Sequence, residues 1–474
     1  MLEDASVPGS DGWYLVRLAN KLGEGLPRMF RLQKYRDGDA LIPETMWEGA
    51  RESYMRFMRR SRLHVVETLR DARTNKQKVL GFRTAVAADA AGDEAAWKHW
   101  RASRMAIQSR QFFNDTADFG QSFLATLPDA NGKPLFQVRN GWDTVAEMDP
   151  LRPWQTKYAL TVTFDAVAQR EIAVLYGQGW YRIATRRTSF ATLPNDGTVW
   201  VVSPDWDWAG ERILTPFTDL CLITRNQTAD GLGIWEKHLD TVDRINEITL
   251  NALTLIVMQS FRQRAVSGNL PQFYPAEHPQ AGQAIDYNSI FAAGPAALWM
   301  LPLEAKVWES EPTDIRPIYE GRKTEVETLA SLTSTPQYVF ASGGENQSAQ
   351  GAELAREQIT SAVENMNDQA ALAFADAMSI AFQIAGDEER ADPDEIEVMW
   401  RKPNPASLSE RGEAAAKFKA GGATQSWIDE NVLEMTPAQQ RQAVQDRMTE
   451  AFAASIASAG GTDGVDSGSD PTDR

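Results

Sequence analysis

The stretch that most limits what this chain can become runs from Gly231 to Gly268, because no Gly or Pro interrupts it between Ile234 and Ser267. Trp235, Leu239, Val242, Ile245, Ile248, Ala252, Leu253 and Ile256 recur there at the three- and four-residue spacing of one helical face. A single helix is expected. At about 1.5 Å per residue it would span roughly 45 Å, and a rod of that length has to pack along most of itself. Its first half is amphipathic, with Glu236, Lys237, Asp240, Asp243, Arg244 and Glu247 opposite the stripe. Its second half (Leu250, Ala252, Leu253, Leu255, Ile256, Val257, Met258) is apolar nearly all round, which calls for neighbours on several sides, from the same chain or from copies of it. An ordinary core helix of a large α domain satisfies the same pattern. Asn251, Thr254 and Gln259 interrupt the run, which is too short for a membrane span.

At 474 residues the chain exceeds the usual single domain, so two to four structural units are expected. No window reads as a signal peptide or membrane span, which predicts a soluble protein made in the cytoplasm. Cys221, in the apolar run LCLIT, has neither a disulfide partner nor zinc co-ligands and reads as a buried small hydrophobe. His64, His99, His238 and His278 contain no ligand-spaced pair, so neither metal nor cofactor is expected. A net charge of −17 argues against a surface that grips nucleic-acid phosphates and permits one that repels them. Basic residues cluster early (Arg51, Arg56, Arg59, Arg60, Arg62), and from Asp387 onward acids outnumber bases about two to one. Each cluster reads first as a solvated face.

Along the chain, Trp13 to Arg36 reads as two helices with a break between Gly23 and Pro27. The segment that follows is helical as far as Asp71 and crosses a polar turn, Thr74 to Lys78, into a short strand. Asp93 to Asp115 reads as one amphipathic helix with Trp97, Trp100, Met105, Ile107 and Phe112 buried. From Phe123 to Ile223 the period changes to alternation: two strands around the Asn131-Gly132 turn, then YALTVTFD, REIAVLYGQGWYRIAT and GTVWVV. Trp154, Trp180, Trp200, Trp206 and Trp208 lie in this β-rich region and are expected in its core. After the long helix comes an irregular insert with strand-like pieces at AALWMLP and KVWES, then a second helix ending before Thr335 and Pro336. Ser348 is placed to cap another long helix, to about Ala385, whose apolar side includes Ala355, Ile359, Ala362, Val363, Met366, Ala370, Phe374, Ala377, Ala381 and Ile384. A strand at EIEVMW, two helices and an acidic tail of disordered composition complete the chain.

Motifs of catalysis are missing from the sequence. There is no phosphate-cradling GxxxxGK[ST], no HExxH, no GxSxG and no CxxC, and the GLG at 231–233 lacks the third glycine of a dinucleotide turn. Asp387, Glu388, Glu389, Asp392, Asp394 and Glu395 invite a divalent-metal reading, but their spacing matches no calcium loop. Asp240 with Asp243, and Glu325 with Glu327, are carboxylates on the wet side of helices and need no acid-base role.

The order of parts does carry a resemblance. A long helix, an irregular insert, a second helix and then SLTSTPQYVFASGGENQSAQGAELAREQITSAVENMNDQAALAFADAMSIAF resembles the centre of the tailed-bacteriophage portal proteins, in the SPP1-type family common in phages of actinobacteria. The end, EIEVMWRKPNPASLSERGEAAAKFKAGGATQSWIDENVLEMTPAQQRQA, is similar to the family's end. YRDGDALIP is similar to its early tyrosine-glycine-proline turn, with Asp37 intervening.

That resemblance implies a mainly helical α+β portal fold, with wing, stem, clip and crown regions, assembling as a homo-oligomeric, dodecameric ring at one capsid vertex. It implies double-stranded DNA passing through the ring during packaging and ejection. The partners it implies are the terminase large subunit, the head-tail adaptor, and the major capsid and scaffolding proteins, with no membrane. Residues 1–232 would hold the N-terminal helices and β-rich wing, 233–268 the stem helix, 269–316 the clip and 317–336 the second stem helix. Residues 337–347 would be the tunnel loop, 348–406 the long wing helix and strand, 407–458 the crown helices and 459–474 the disordered acidic tail. Tyr338, Phe340, Ser342, Gly343, Gly344, Glu345, Asn346 and Gln347 would lie nearest the DNA. Leu239, Val242, Ile245, Leu253 and Ile256 would pack the stem in the ring, and Arg322 and Lys323 would be cations of the channel wall. The chain would be a non-enzymatic part of the virion, its packaging ATPase a separate protein. Two other classes remain open: a capsid-associated head-completion scaffold without a DNA channel, and a metal-dependent nuclease using Asp387 to Glu397.

Overall fold

The computed structural model describes residues 4–39, 58–86, 92–202, 205–260, 264–268, 271–287, 306–309, 313–340, 349–404 and 407–459. It is α+β, with about 49% of residues in helix. The chain forms two compact units, one of Met1–Leu32, Leu69–Glu236 and Gly344–Arg474, the other of Gln33–Thr68 and Lys237–Gly343.

In chain order the first unit holds α1 (Asp11–Arg36, which runs on into the second unit), α2 (Val65–Thr74, most of it), β1 (Val79–Arg83), α3 (Glu94–Ala102) and α4 (Met105–Phe119). Strands β2 (Gln121–Pro128), β3 (Pro134–Arg139), β4 (Thr144–Met148), β5 (Thr156–Asp165), β6 (Arg170–Gly177) and β7 (Trp180–Arg187) follow. The short β8 (Asp207–Trp208) and β9 (Ile213–Leu214) and then β10 (Ile223–Gln227) complete the β-rich region. The second unit then supplies α5 (Leu239–Ser260), β11 (Arg264–Ser267), β12 (Lys306–Glu309) and α6 (Arg316–Leu332). The first resumes with α7 (Ala349–Ala385), β13 (Glu397–Trp400), α8 (Leu408–Ala420), α9 (Gln425–Asn431) and α10 (Pro437–Ala459).

Two cores organise the first unit. In one, α1 lies on a six-stranded antiparallel sheet of order β4-β5-β6-β7-β8, with β9 also paired to β7. Leu15, Leu18, Leu22 and Leu26 meet the inward residues Val145, Leu160, Val162, Ala173, Leu175 and Ala184, with Trp200 and Trp206 closing the layer. In the other, α7 runs through the aromatic side chains Phe82, Trp100, Phe112, Phe113, Phe374 and Phe382. Trp100 and Phe374 meet edge to face, with ring centres 5.1 Å apart, a geometry that adds to simple burial. The sheet β10-β2-β3 packs on α7, and the Thr224 hydroxyl donates to the Ala373 carbonyl at 3.1 Å.

Several buried charges of this unit are paired. Asp11 takes both Arg182 and Arg212, and Glu171 takes Arg186 and the Thr192 hydroxyl. Burial opposes charge on Asp93, but the Ala96 N–H, the Thr84 hydroxyl and Arg390 together hold its pKa below the usual carboxylate range. Cys221 is fully buried, and burial pushes its thiol up to about 12.

Several expectations fail, four of them as follows. First, α1 does not break at Gly23 to Pro27; it is continuous, with Pro27 inside it. Its long buried stripe outweighs the missing N–H of Pro27, and Gly23 is present because the Trp200 carbonyl sits where a Cβ would go. Second, Asp93 to Asp115 is two helices. Arg104 takes a left-handed backbone at φ 54°, and the Ser103 hydroxyl accepts from the Phe136 N–H at 3.0 Å, fixing the corner to β3. The turn resets the helical face, so Ile107 is 76% exposed while Trp100, Met105 and Phe112 are buried. Third, GTVWVV forms no strand; Trp200 is buried from a loop, and Trp154 sits at an exposed loop tip rather than in the sheet core. Fourth, the long helix stops at Ser260, and Arg264–Ser267 is a strand.

Asp376 on α7 is an exception to the paired charges: burial, and then the like charge of Asp394, push its carboxyl up to about 6. Because the folded pKa is raised, the carboxyl is neutral in both states below about pH 4, and the destabilisation grows as pH rises through about 6. Asp376→Asn is predicted to stabilise the protein by on the order of 2 kcal/mol near neutral pH, with the gain vanishing near pH 4 in denaturant titrations. A second prediction concerns α1. Gly25→Ala, where a Cβ meets nothing within 4 Å, should raise stability by about 0.5–1 kcal/mol, whereas Gly23→Ala should lower the melting temperature despite the same gain in helix propensity.

Candidate functional site

The second unit brings together most of the residues singled out from the sequence. Its centre is the packed pair α5 and α6, joined by an ion pair of Arg244 and Glu325 at 2.9 Å, with Arg244 also donating to the Thr241 hydroxyl. The start of the unit is tied to α5 by the Tyr35 hydroxyl on Asp243 at 2.7 Å and by the Leu63 N–H on the Asn246 side-chain oxygen at 2.9 Å. Beside Tyr35, Gly38 has φ 65° and lies against the His64 ring, which a Cβ would strike. The carboxylates considered as acid-base pairs thus have ordinary partners: Asp243 serves Tyr35, Glu325 serves Arg244, and Glu327 lies 3.9 Å from Lys323.

Burial along α5 divides the helix in two. Leu239, Val242 and Ile245 are buried within one chain at 5%, 2% and 0% exposure. Leu253, Leu255 and Ile256 are only half-buried, and Val257 is exposed. Lys237, Asp240, Arg244, Glu247 and Asn251 form a mixed-charge exposed row on the other side. Trp235, counted from the sequence with this helical face, lies before α5 and is buried in the first unit, its indole N–H on Asp118 at 3.1 Å.

The helix ends early because the chain enters a ladder. Arg264 pairs with Glu309, Ala265 with Trp308, Val266 with Val307 and Ser267 with Lys306, so β11 and β12 clamp the two ends of the insert. Four residues of mixed character gave no strand signal of their own; the partner lies about forty residues away in sequence. Within the insert, the Tyr274 and Gly282 N–H groups bond across a small turn, Phe273 bridges to Ala284, and the Tyr274 and His278 rings stack 4.3 Å apart. The AALWMLP piece lies outside the described residues.

The turn after α6 has a defined mechanism. The Ser334 N–H reaches the Ser331 carbonyl at 3.1 Å and the Thr335 N–H reaches the Ala330 carbonyl at 2.8 Å, the two bonds of a Schellman cap. Ser334 takes the left-handed position at φ 50°, usually glycine's, and the buried Thr333 and Thr335 hydroxyls bond to each other at 3.0 Å. Pro336 then leads into a single 3-10 turn, Gln337–Val339, on which Tyr338 is exposed and Phe340 half-buried. Ser342, Gly343, Gly344, Glu345, Asn346, Gln347 and the proposed cap Ser348 lie outside the described residues. The guanidinium of Arg322 lies over the Tyr319 ring at 5.0 Å, and Lys323 is exposed.

The acidic stretch Asp387 to Glu395 folds as two 3-10 turns. Arg390 takes both Asp387 and Asp93, and Asp392 caps the Asp394 N–H. Among the described residues no group of three or more His, Cys, Asp or Glu could hold a metal ion.

No protein-family model matches the chain. Two curated proteins are similar to it: the portal protein of Mycobacterium phage D29, 23% identical over 371 residues, and that of Mycobacterium phage L5, 23% identical over 375 residues. Each alignment covers 74% of this chain and 71% of the relative. Among solved structures, a chain from the neck of the empty gene transfer agent particle gives a TM-score of 0.43 at 14% identity, over 82% of this chain and 95% of that one.

The cap geometry makes a direct prediction. Ser334→Gly should stabilise the chain by a few tenths to about 1 kcal/mol by lifting the left-handed strain, while the β-branched Ser334→Val should destabilise it, both read as shifts in calorimetric melting temperature.

Proposed function

We propose that this chain is a phage portal protein, one subunit of a homo-oligomeric ring at a capsid vertex. Such a ring forms the channel for DNA packaging and ejection and the attachment point for the terminase and the head-tail adaptor. The observation that carries the proposal is the similarity to the D29 and L5 portal proteins over about three quarters of the chain. An SPP1-type arrangement of parts is the finer proposal, resting on the order of elements. In it α5 and α6 are the stem, the insert clamped by β11 and β12 is the clip, residues 337–347 are the tunnel loop, α8 to α10 are the crown and the remainder is the wing.

Several features support that assignment. In the second half of α5 Leu253, Leu255 and Ile256 are only half-buried and Val257 is exposed, as suits a helix packed between copies. The mixed-charge row on α5 and the net charge of −17 suit a conduit, because strong phosphate contacts would hold the DNA instead of letting it slide. In this reading Tyr338 and Phe340 would begin the loop toward the DNA, and Arg322 and Lys323 would be the few cations of the channel wall. The proposed role is structural and non-enzymatic, located in the virion. Among the described residues no helix is long and apolar enough to cross a membrane.

Two variants test the assignment. Ile256→Asp should leave the monomer folded, since the side chain is only half-buried in one chain, but should abolish ring assembly measured by light scattering, because the ring would bury an unpaired charge. Intact rings in that variant would contradict the stem packing. Shortening residues 341–347 should preserve rings while impairing DNA packaging or retention; normal packaging would contradict the tunnel-loop assignment.

A further inference from the structure

The last described turns of α10 stand exposed on the first unit. The Gln440 amide on the Met435 carbonyl at 2.9 Å and Arg447 on Asp429 at 2.7 Å hold its first half to the body of the first unit. From Met448 to Ile456 every side chain is exposed. Helical turns that bury so little of their surface are marginal in water.

Its surface is apolar in a regular way. Val444, Met448, Phe452 and Ile456 recur every four residues along one side, between 45% and 69% exposed. The nine residues Ala451 to Ala459 include no charged side chain. A contiguous row of four large apolar side chains on a helix of an otherwise charged protein marks a contact surface. The geometry of the helix sorts three sides: Gln440 and Arg447 face the body, the Val444 row lies about a third of a turn to one side, and Gln442, Asp446 and Ala453 lie about a third of a turn to the other.

We propose that the α10 row of Val444, Met448, Phe452 and Ile456 packs against the Gln442-Ala453 flank of α10 in a second copy of this chain, an inference that rests on the ring assembly proposed above. The two flanks differ in kind. Large side chains stand on one, and the other becomes small toward the helix end, so the contact is head-to-tail and repeats from copy to copy. Charge favours the end of that contact: copies at −17 each repel, and the charge-free turns that carry Phe452, Ala453 and Ile456 are where two of them can approach without adding like-charge contacts.

The test uses the full chain with Met448→Cys and Ala453→Cys introduced together and singly. The native Cys221 is buried and does not react. With a short bismaleimide, the double variant should give a ladder of covalent oligomers beyond the dimer, and each single variant should give little. Met448→Glu with Phe452→Glu should leave the monomer's melting temperature unchanged, since both sites are exposed, and weaken assembly at least about tenfold by light scattering. Rings without a ladder would overturn the α10 contact and leave the portal assignment standing. A ladder without closed rings would support the contact and overturn the ring. Dimers from Met448→Cys alone would show a two-fold contact and refute the head-to-tail packing.

Discussion

Where α5 begins is set by a knot of polar contacts at the end of α4. Asp118, fully buried, accepts the Trp235 indole N–H at 3.1 Å and faces Arg70 at 3.4 Å. Arg28 lays its guanidinium on Glu236 at 2.5 and 2.7 Å and donates to the Phe119 and Gly231 carbonyls, each at 3.2 Å. The Ile234 N–H binds the Ala117 carbonyl at 2.8 Å, and Gly120 and Gly233 are glycines because a Cβ on either would strike the Gly231 or Asp118 carbonyl. A charge buried this deeply is tolerated only when paired, so loss of one partner would leave Asp118 or Glu236 to unfavourable burial. Residues 231–236 are therefore held within the first unit before the helix of the second unit starts.

From that point the local rules of the chain run outward in a consistent order. The apolar stripe of α5 is covered within the chain for its first turns and only partly for its last. The β11-β12 ladder ends the helix and returns the chain to α6, and the Schellman cap at Ser334 turns it toward Tyr338. In the proposed portal these are the steps that lead from stem to clip and back to the channel. Each is a short element whose geometry is fixed by a few named hydrogen bonds.

Much of this was legible in the sequence where one physical signal dominated. The Asn131-Gly132 turn, the alternation of β5 to β7, the stripe of α7 and the burial of Cys221 all appear as read. The misreadings share a cause: a long-range contact overruled a local signal. Pro27 is carried within α1 because the helix buries four leucines on the sheet; Arg104 turns because Phe136 of β3 claims Ser103; Arg264–Ser267 is a strand because Lys306–Glu309 pairs with it. Of the candidate site, the helices α5 and α6 and the turn at Thr335-Pro336 were readable from periodicity and punctuation. The ion pair Arg244-Glu325, the knot around Asp118 and the exposed row on α10 were not, since each depends on which surfaces the fold leaves covered.

The central claim, a ring of identical copies around a channel, is tested most directly by native mass spectrometry of the purified chain together with negative-stain class averages of the same fraction. The account predicts a closed assembly of about a dozen copies with an axial hole. A stable dimer closed by a two-fold interface, with no higher species at any concentration, would contradict it.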